Sequence, residues 1–175
     1  MKRSLEVLAL CFSFQAAAAA LDITSVNPAA VKGSAKADFT LSAFTVKNIS
    51  FDKGAVVLPV TENNGKTYAD IKLLSKSLYV KLETCFKNGC VKPAKAPLAP
   101  KFKIEALKPL KSKTRLANAD ISFDGDLLVV AGVMVSSKEP GTYWVAFPPA
   151  LIFGDGAFKS AVESAVIAAW VKKNK

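Results

Sequence analysis

Residues 117–135, "ANADISFDGDLLVVAGVMV", contain the clearest secondary-structure signal of the chain. Polar and apolar residues alternate in its first part, which places Ala119, Ile121 and Phe123 on one face, as in a β-strand with one buried side. The Asp-Gly pair that follows is a strong signal for a tight hairpin, and a run rich in valine comes after it. The stretch therefore predicts two antiparallel strands joined by a short turn.

The same features occur in the same order in the first half of the chain, which indicates an internal repeat. There the apolar face of the predicted strand is formed by Ala37, Phe39 and Leu41. One such match arises easily by chance, whereas an ordered series of matches indicates two copies of one unit. The matching segments are "ITSVNP" (23–28) and "IEALKP" (104–109), "AKADFTL" (35–41) and "ANADISF" (117–123), "FTVKNISF" (44–51) and "LLVVAGVMV" (127–135), and "GAVVLP" (54–59) and "GTYWVAFP" (141–148).

Each copy ends in an amphipathic stretch that predicts a helix, at residues 71–86 and 158–171. A unit of roughly 65 residues makes a marginal core by itself. We therefore expect an α+β fold of two tandem units, each an antiparallel β-meander followed by a C-terminal helix, packed as an intramolecular pseudo-dimer. The apolar positions at helical spacing are Ile71, Leu74, Leu78, Leu82 and Phe86 in the first stretch and Phe158, Val162, Ala165, Val166, Ala169 and Trp170 in the second.

A segment rich in Lys, Pro and Ala separates the two copies at residues 88–100. It carries almost no periodic apolar signal, which is typical of a linker. The predicted organisation is therefore a first repeat at residues 21–87, this linker, and a second repeat at residues 101–175.

Residues 1–20 have the features of a secretory signal peptide. Lys2 and Arg3 precede an apolar stretch at residues 7–14, and the terminal alanines provide an A-x-A cleavage site directly before Leu21. Cleavage there predicts an exported protein, periplasmic or extracellular, with no stable membrane span. The alternative is a cytoplasmic protein that retains residues 1–20 as a core helix, although this segment shows no amphipathic stripe.

Removal of residues 1–20 leaves two cysteines, Cys85 and Cys90. An even number of cysteines in an oxidising compartment predicts a disulfide. Two residues five apart on one helix are too distant to bridge, but Gly89 can take the left-handed conformation at a helix end and turn the chain back. The alternative is a pair of free thiols in the cytosol. A zinc site is not expected, because the chain has no histidine and no further ligand candidate lies nearby.

Positive charge is concentrated around the linker. The chain has a net charge of +10, and residues 87–115 hold nine basic residues and one acidic residue, Glu105. Such a run is either a solvated linker or a contact for a polyanion such as nucleic acid, anionic lipid or a cell-wall polymer. The candidate polyanion-binding residues are Lys92, Lys95, Lys108, Lys111, Lys113 and Arg115, together with Lys66 at the tip of the loop 62–66.

The second copy, residues 104–148 and the helix after them, resembles the stage V sporulation protein G (SpoVG) family. Members of that family have an opening strand, a segment of the form A-x-A-x-I-x-F/L-D, a hydrophobic V-x-x-V-x-V strand, a Gly turn, a strand ending in aromatic-x-x-P, and a C-terminal helix. "LANADISFDGDLLVVAGVMVSSKEPGTYWVAFP" (116–148) carries most of this pattern. Residues 23–59 are similar, with "VTENNGKTYADI" (60–71) where the family has a loop and a short strand. The chain thus resembles two tandem SpoVG copies after a signal peptide.

The resemblance implies a small dimer-forming α+β fold and a regulatory role in septum formation, sporulation or nucleic-acid binding. Family members typically carry Lys and Arg after the last proline, where a loop is thought to contact nucleic acid. Here Pro59 is followed by Val-Thr-Glu and Pro148 by Pro-Ala-Leu, and Lys66 is the only basic residue in the corresponding region. The charges that would neutralise phosphates are therefore missing from this loop in both copies.

The sequence offers little support for catalysis. Without histidine there is no Ser-His or Cys-His arrangement, and Asp120, Asp124 and Asp126 lack the spacing of an EF-hand, so they predict a polar hairpin tip and not a calcium site. We therefore expect a non-enzymatic, exported SpoVG-like protein without cofactor or metal. It would bind a protein or an anionic polymer in connection with septation or the cell envelope. The alternative is a cytosolic nucleic-acid-binding regulator of the septation or sporulation type.

Overall fold

The computed structural model describes residues 20–27, 36–91, 93 and 98–174. Within these ranges the chain forms twelve β-strands and two α-helices. In chain order they are β1 (Ile23–Asn27), β2 (Lys36–Leu41), β3 (Phe44–Asp52), β4 (Ala55–Val57), β5 (Thr61–Asn63), β6 (Lys66–Tyr68), β7 (Ile71–Leu73), α1 (Lys76–Asn88), β8 (Phe102–Pro109), β9 (Arg115–Phe123), β10 (Leu127–Val135), β11 (Tyr143–Ala146), β12 (Leu151–Phe153) and α2 (Gly156–Lys173).

The strands form two five-stranded sheets and one small hairpin. In the first sheet the order is β1-β2-β3-β12, and β4 also pairs with β3. In the second sheet the order is β11-β10-β9-β8, and β7 also pairs with β10. β5 and β6 pair only with each other, and all pairs in the described residues are antiparallel. The predicted α+β class with antiparallel sheets is therefore confirmed.

The two short strands that precede the helices pair with the sheet of the opposite half of the chain. Ile71–Leu73 of β7 lies against Leu127–Val129 of β10. Leu151–Phe153 of β12 lies against Phe44–Val46 of β3. Each sheet is therefore completed by a strand from the other half.

The hydrogen bonds that flank these two pairings correspond to each other. The Val130 N–H donates to the Asp70 carbonyl over 2.7 Å, and the Lys47 N–H donates to the Ala150 carbonyl over 2.8 Å. Beyond the strands, the Leu74 N–H donates to the Asp126 carbonyl, and at the matching place the Gly154 N–H donates to the Ala43 carbonyl. β7 and β12 are therefore held against the sheets of the opposite halves by equivalent backbone hydrogen bonds.

The first helix begins later than the sequence predicted. Ile71 belongs to a strand, Leu74 is 51% exposed, and α1 starts at Lys76. Ser75 is its N-cap, because its hydroxyl accepts a hydrogen bond from the Leu78 N–H over 3.1 Å. The apolar spacing from Ile71 to Phe86 is helical only in its second half, so the prediction was wrong for the residues before Ser75.

Asp155 is the N-cap of the second helix. The Asp155 carboxylate accepts hydrogen bonds from the N–H groups of Ala157 and Phe158, at 2.8 and 3.3 Å. These bonds satisfy donors that the first turn of a helix leaves without partners. Along α2 the buried face is formed by Phe158, Val162, Val166 and Trp170.

One continuous cluster of buried apolar side chains joins the two halves. Phe44 of the first sheet and Phe123 of the second have ring centroids 4.9 Å apart. α1 packs on the first sheet, where the ring centroids of Phe86 and Phe39 are 5.2 Å apart. All six residues that the sequence assigned to the inner faces of the strands are buried: Ala37, Phe39, Leu41, Ala119, Ile121 and Phe123.

The predicted disulfide between Cys85 and Cys90 is present. The helix ends at Asn88, and Gly89 has φ +91°, which turns the chain back towards Cys85. The Gly89 N–H donates to the Cys85 carbonyl over 2.9 Å. Gly89 thus has the positive φ that glycine readily takes at a helix end, with an extended ψ of 156°.

Loss of this disulfide should destabilise the fold. Closing so short a loop contributes about 2 kcal/mol in the chain-entropy model. The variant C85A/C90A should therefore melt roughly 4–8 °C lower than the wild type. Thermal unfolding measures this shift, and chemical reduction of the unmodified chain should reproduce it. An unchanged melting temperature after complete reduction would contradict the prediction.

Candidate polyanion-binding surface

The hairpin of β8 and β9 carries four of the predicted basic residues. Lys108 is on β8, Lys111 and Lys113 are in the connecting loop, and Arg115 begins β9. The Ser112 hydroxyl shapes the loop by accepting hydrogen bonds from the N–H groups of Thr114 and Arg115, at 3.3 and 3.2 Å. The structure therefore gathers these four cations at one end of the second sheet.

Two of the four are fixed to the sheet. The Lys108 ammonium forms an ion pair with the Asp120 carboxylate. The Arg115 Nε donates to the Asn118 side-chain oxygen over 2.9 Å. The guanidinium lies against Gly132, where an added Cβ would come within 2.8 Å of the Arg115 Nε. Gly132 therefore leaves the space that Arg115 occupies.

The two loop lysines form no such ion pair within the described residues. Lys111 and Lys113 are exposed, and neither has an ion-pair partner in the described part of the chain. Their charges are therefore available to a polyanion, whereas Asp120 partly neutralises that of Lys108.

Three further lysines lie at this end of the sheet, outside the segment that the sequence analysis considered. The Lys173 ammonium, at the end of α2, donates to the Leu107 carbonyl of β8 over 2.6 Å, and Lys172 precedes it. Lys138 is in the loop between β10 and β11, which leaves the sheet at the same end as the β8–β9 loop, since the Val135 N–H donates to the Thr114 carbonyl over 2.9 Å. We call the following set the basic end: Lys108, Lys111, Lys113, Arg115, Lys138, Lys172 and Lys173.

The other predicted contacts are not gathered there by the structure. Lys66 is exposed on β6, in the hairpin that belongs to neither large sheet. Lys92 and Lys95 lie outside the described residues.

Glu105, the one acid in the predicted basic run, is held by Lys103 at 2.7 Å and by the Ser122 hydroxyl at 2.6 Å. These two hydrogen bonds lower the pKa of Glu105 from its ordinary value.

The segments that follow the two prolines meet in one cavity. Residues 59–62 and 149–150 line it together with Lys36, and its volume is about 510 Å³. Lys36 and Glu62 are the charged residues of this lining. The lining that these two loops form therefore has no excess of positive charge, unlike the basic end.

Three aspartates lie near the β9–β10 hairpin, and each has a different partner. Asp120 pairs with Lys108, Asp124 accepts a hydrogen bond from the Lys101 N–H over 2.9 Å, and Asp126 accepts one from the Leu21 N–H over 2.8 Å. The turn has the predicted hairpin form, with positive φ at Asp124 and Gly125. In the described residues no three His, Cys, Asp or Glu side chains are grouped as a metal site.

Comparison of the chain with protein-family models, with curated proteins and with solved structures finds no significant match. Neither helix of the described ranges combines the length and the hydropathy that crossing a membrane requires.

Proposed function

We propose that this chain is a non-enzymatic, exported protein of two tandem SpoVG-like units, and that its basic end binds an anionic polymer of the cell envelope. The observation that carries the binding role is the position of Lys111 and Lys113 at one end of the second sheet, where Lys173 of α2 bonds to β8 and the end of β10 bonds to the loop of these two lysines. Phosphate-rich polymers release counterions when such a cluster neutralises them, which favours binding.

The reciprocal strand exchange supports the tandem arrangement. The order of three strands, a short edge strand, a crossing strand and a helix is the same in both halves, apart from the inserted β5–β6 hairpin. The crossing strands use corresponding positions, Ile71–Leu73 on β10 and Leu151–Phe153 on β3. Two identical subunits that exchanged a strand would pair in the same way, so we interpret the chain as a covalently linked pseudo-dimer.

Export is supported by the signal-peptide pattern of residues 1–20 and by the Cys85–Cys90 disulfide, since disulfides persist in oxidising compartments. The resemblance to SpoVG suggests a role in septation or in the envelope. A second candidate is a cytosolic nucleic-acid-binding regulator with residues 1–20 retained. The basic end also favours this candidate, because duplex DNA and envelope polyphosphates present similar charges.

Binding should depend on the loop lysines. With long-chain polyphosphate as the probe, K111A/K113A should lower the affinity at 0.15 M salt about ten-fold. It should also reduce the slope of log K against log salt by roughly 1.4–1.8, or 0.7–0.9 for each lost charge. Titrations over a salt series measure both quantities.

The matched control is K72A/K76A, which removes two exposed lysines of the first half and the same net charge. It should leave the slope almost unchanged. Equal losses in the two double variants would contradict a localised site. Duplex DNA in place of polyphosphate, bound at least as tightly, would favour the cytosolic candidate.

A further inference from the structure

Leu21 is anchored through both its backbone N–H and its backbone carbonyl. Leu21 is 0% exposed, and its backbone N–H donates to the Asp126 carboxylate over 2.8 Å. Its carbonyl accepts a hydrogen bond from the Lys81 ammonium over 2.9 Å, and the same ammonium pairs with Asp22 at 2.8 Å. Ala20, one residue earlier, is exposed. Leu21 is therefore the first buried residue of the described part of the chain.

Asp126 lacks a positive partner in the described structure. The residue is only 6% exposed, and the hydrogen bond found to its carboxylate comes from the neutral Leu21 N–H. A buried carboxylate is costly unless a positive charge compensates it. Burial raises the pKa of nearby Asp124 and the charge of Asp126 raises it further, although the hydrogen bond from the Lys101 N–H and the positive charge of Lys101 act in the opposite direction. The carboxylates of Asp124 and Asp126 therefore lie close enough to repel each other.

We infer that proteolytic cleavage between Ala20 and Leu21 creates the missing cation, and that the new α-ammonium of Leu21 forms a buried ion pair with Asp126. An endoprotease that recognises small residues would hydrolyse the peptide bond with one water molecule. The products are a carboxylate on Ala20 and an ammonium on Leu21. A nitrogen that donated one hydrogen bond then carries a unit charge and three donors at the same place.

Only one of several similar cleavage sites would place the new amine beside Asp126. Residues 16–20 are all alanine, so the A-x-A pattern alone fits more than one bond. A cut upstream of Ala20 leaves the Leu21 nitrogen as a neutral amide and places the new amine on the exposed side of Ala20. Cleavage before Leu21 alone pairs the amine with the buried carboxylate. Processing would thereby tie the start of the first half to the second.

The inference rests on the export part of the proposed function and is independent of polymer binding. Recombinant chains that begin at Leu21 or at Ala20, each with Asp126 or with D126N, form a double-mutant cycle. With Asp126 present, the chain that begins at Leu21 should melt roughly 5–10 °C above the chain that begins at Ala20. With D126N the two starts should differ by less than about 2 °C. An equal difference in both backgrounds would overturn the ion pair.

A second measurement keeps the test decisive if the D126N chains do not fold. In the folded protein with Asp126, the Leu21 amine should react with an acylating reagent at least ten times more slowly than the amine of the Ala20 chain. Equal rates would overturn the inference. The exposure of Ala20 means that its retention causes no steric clash, so a difference reports on the amine.

The natural start of the protein tests the cleavage site. Intact mass of the secreted protein should correspond to a chain that begins at Leu21. A start at any upstream alanine would overturn this inference and leave export standing. Retention of residues 1–20 would overturn both. The effect of K111A/K113A on polyphosphate binding bears on neither the cleavage site nor export. The ion-pair proposal and the polymer-binding proposal can therefore fail separately.

Discussion

Replacing Phe44 by alanine should lower the free energy of unfolding by about 3–5 kcal/mol. The side chain is 0% exposed, and its ring lies 4.9 Å from that of Phe123 and 6.2 Å from that of Phe153. These rings belong to β3, β9 and β12, so the substitution would open a cavity where both halves of the chain meet. Urea unfolding monitored by circular dichroism measures the change.

Trp144 provides the control for this prediction. It is a larger aromatic residue but is 47% exposed on β11. W144A should therefore cost less than half as much as F44A, because much of the tryptophan surface already contacts water. A loss in W144A equal to that in F44A would contradict a core centred on Phe44.

Separating the two halves should abolish folding of each one. A fragment of residues 21–91 would lack β12 on its sheet, and a fragment of residues 98–174 would lack β7. Each would expose part of the shared apolar cluster to water. Chains of this size are only marginally stable, so this exposure is enough to prevent folding. Neither fragment alone should show a cooperative thermal transition, whereas an equimolar mixture should recover one. Circular dichroism and thermal melting measure both results.

The control is the full chain cut once, after folding, at a protease site introduced between residues 93 and 98. It should keep its circular dichroism spectrum, because both partners of each strand pair are already in place. A cooperative transition in either isolated fragment would show that the strand exchange is dispensable. That outcome would also remove the support that the exchange gives to the pseudo-dimer.

The core was predictable because its signal is local. Alternation at Ala119, Ile121 and Phe123 has the period of a strand, and the burial of these residues follows from it. The Asp124–Gly125 turn and the Cys85–Cys90 bridge were predictable for the same reason, since each depends on residues close in sequence.

The crossing strands were not predictable from the same evidence. β7 and β12 have three residues each, too few to show a period of two, and the apolar residues of β7 fit the helical spacing of the segment after it. Their partners lie in the other half of the chain, so no local pattern identifies them. Only the similar order of features in the two halves indicated that the halves belong together.

The candidate site was predictable in position but not in detail. Charge density located the cations between Lys108 and Arg115, but the pairing of Lys108 with Asp120 depends on strand register. That register includes an irregularity between Ile104 and Ala106, which the sequence does not reveal. Lys173 joins the basic end only because α2 returns along β8. The contact of Leu21 with Asp126 likewise requires the folded topology.

The pairing of Phe44 with Phe153 has a consequence for the order of events after synthesis. A ribosome must release nearly the entire polypeptide before the first sheet can acquire its last strand. Contacts so far apart along the chain form slowly, because a long loop must close before any of them is gained. The nascent protein would therefore remain unfolded for longer than a chain of local hairpins, and an unfolded chain is the form that a narrow translocation channel can accept.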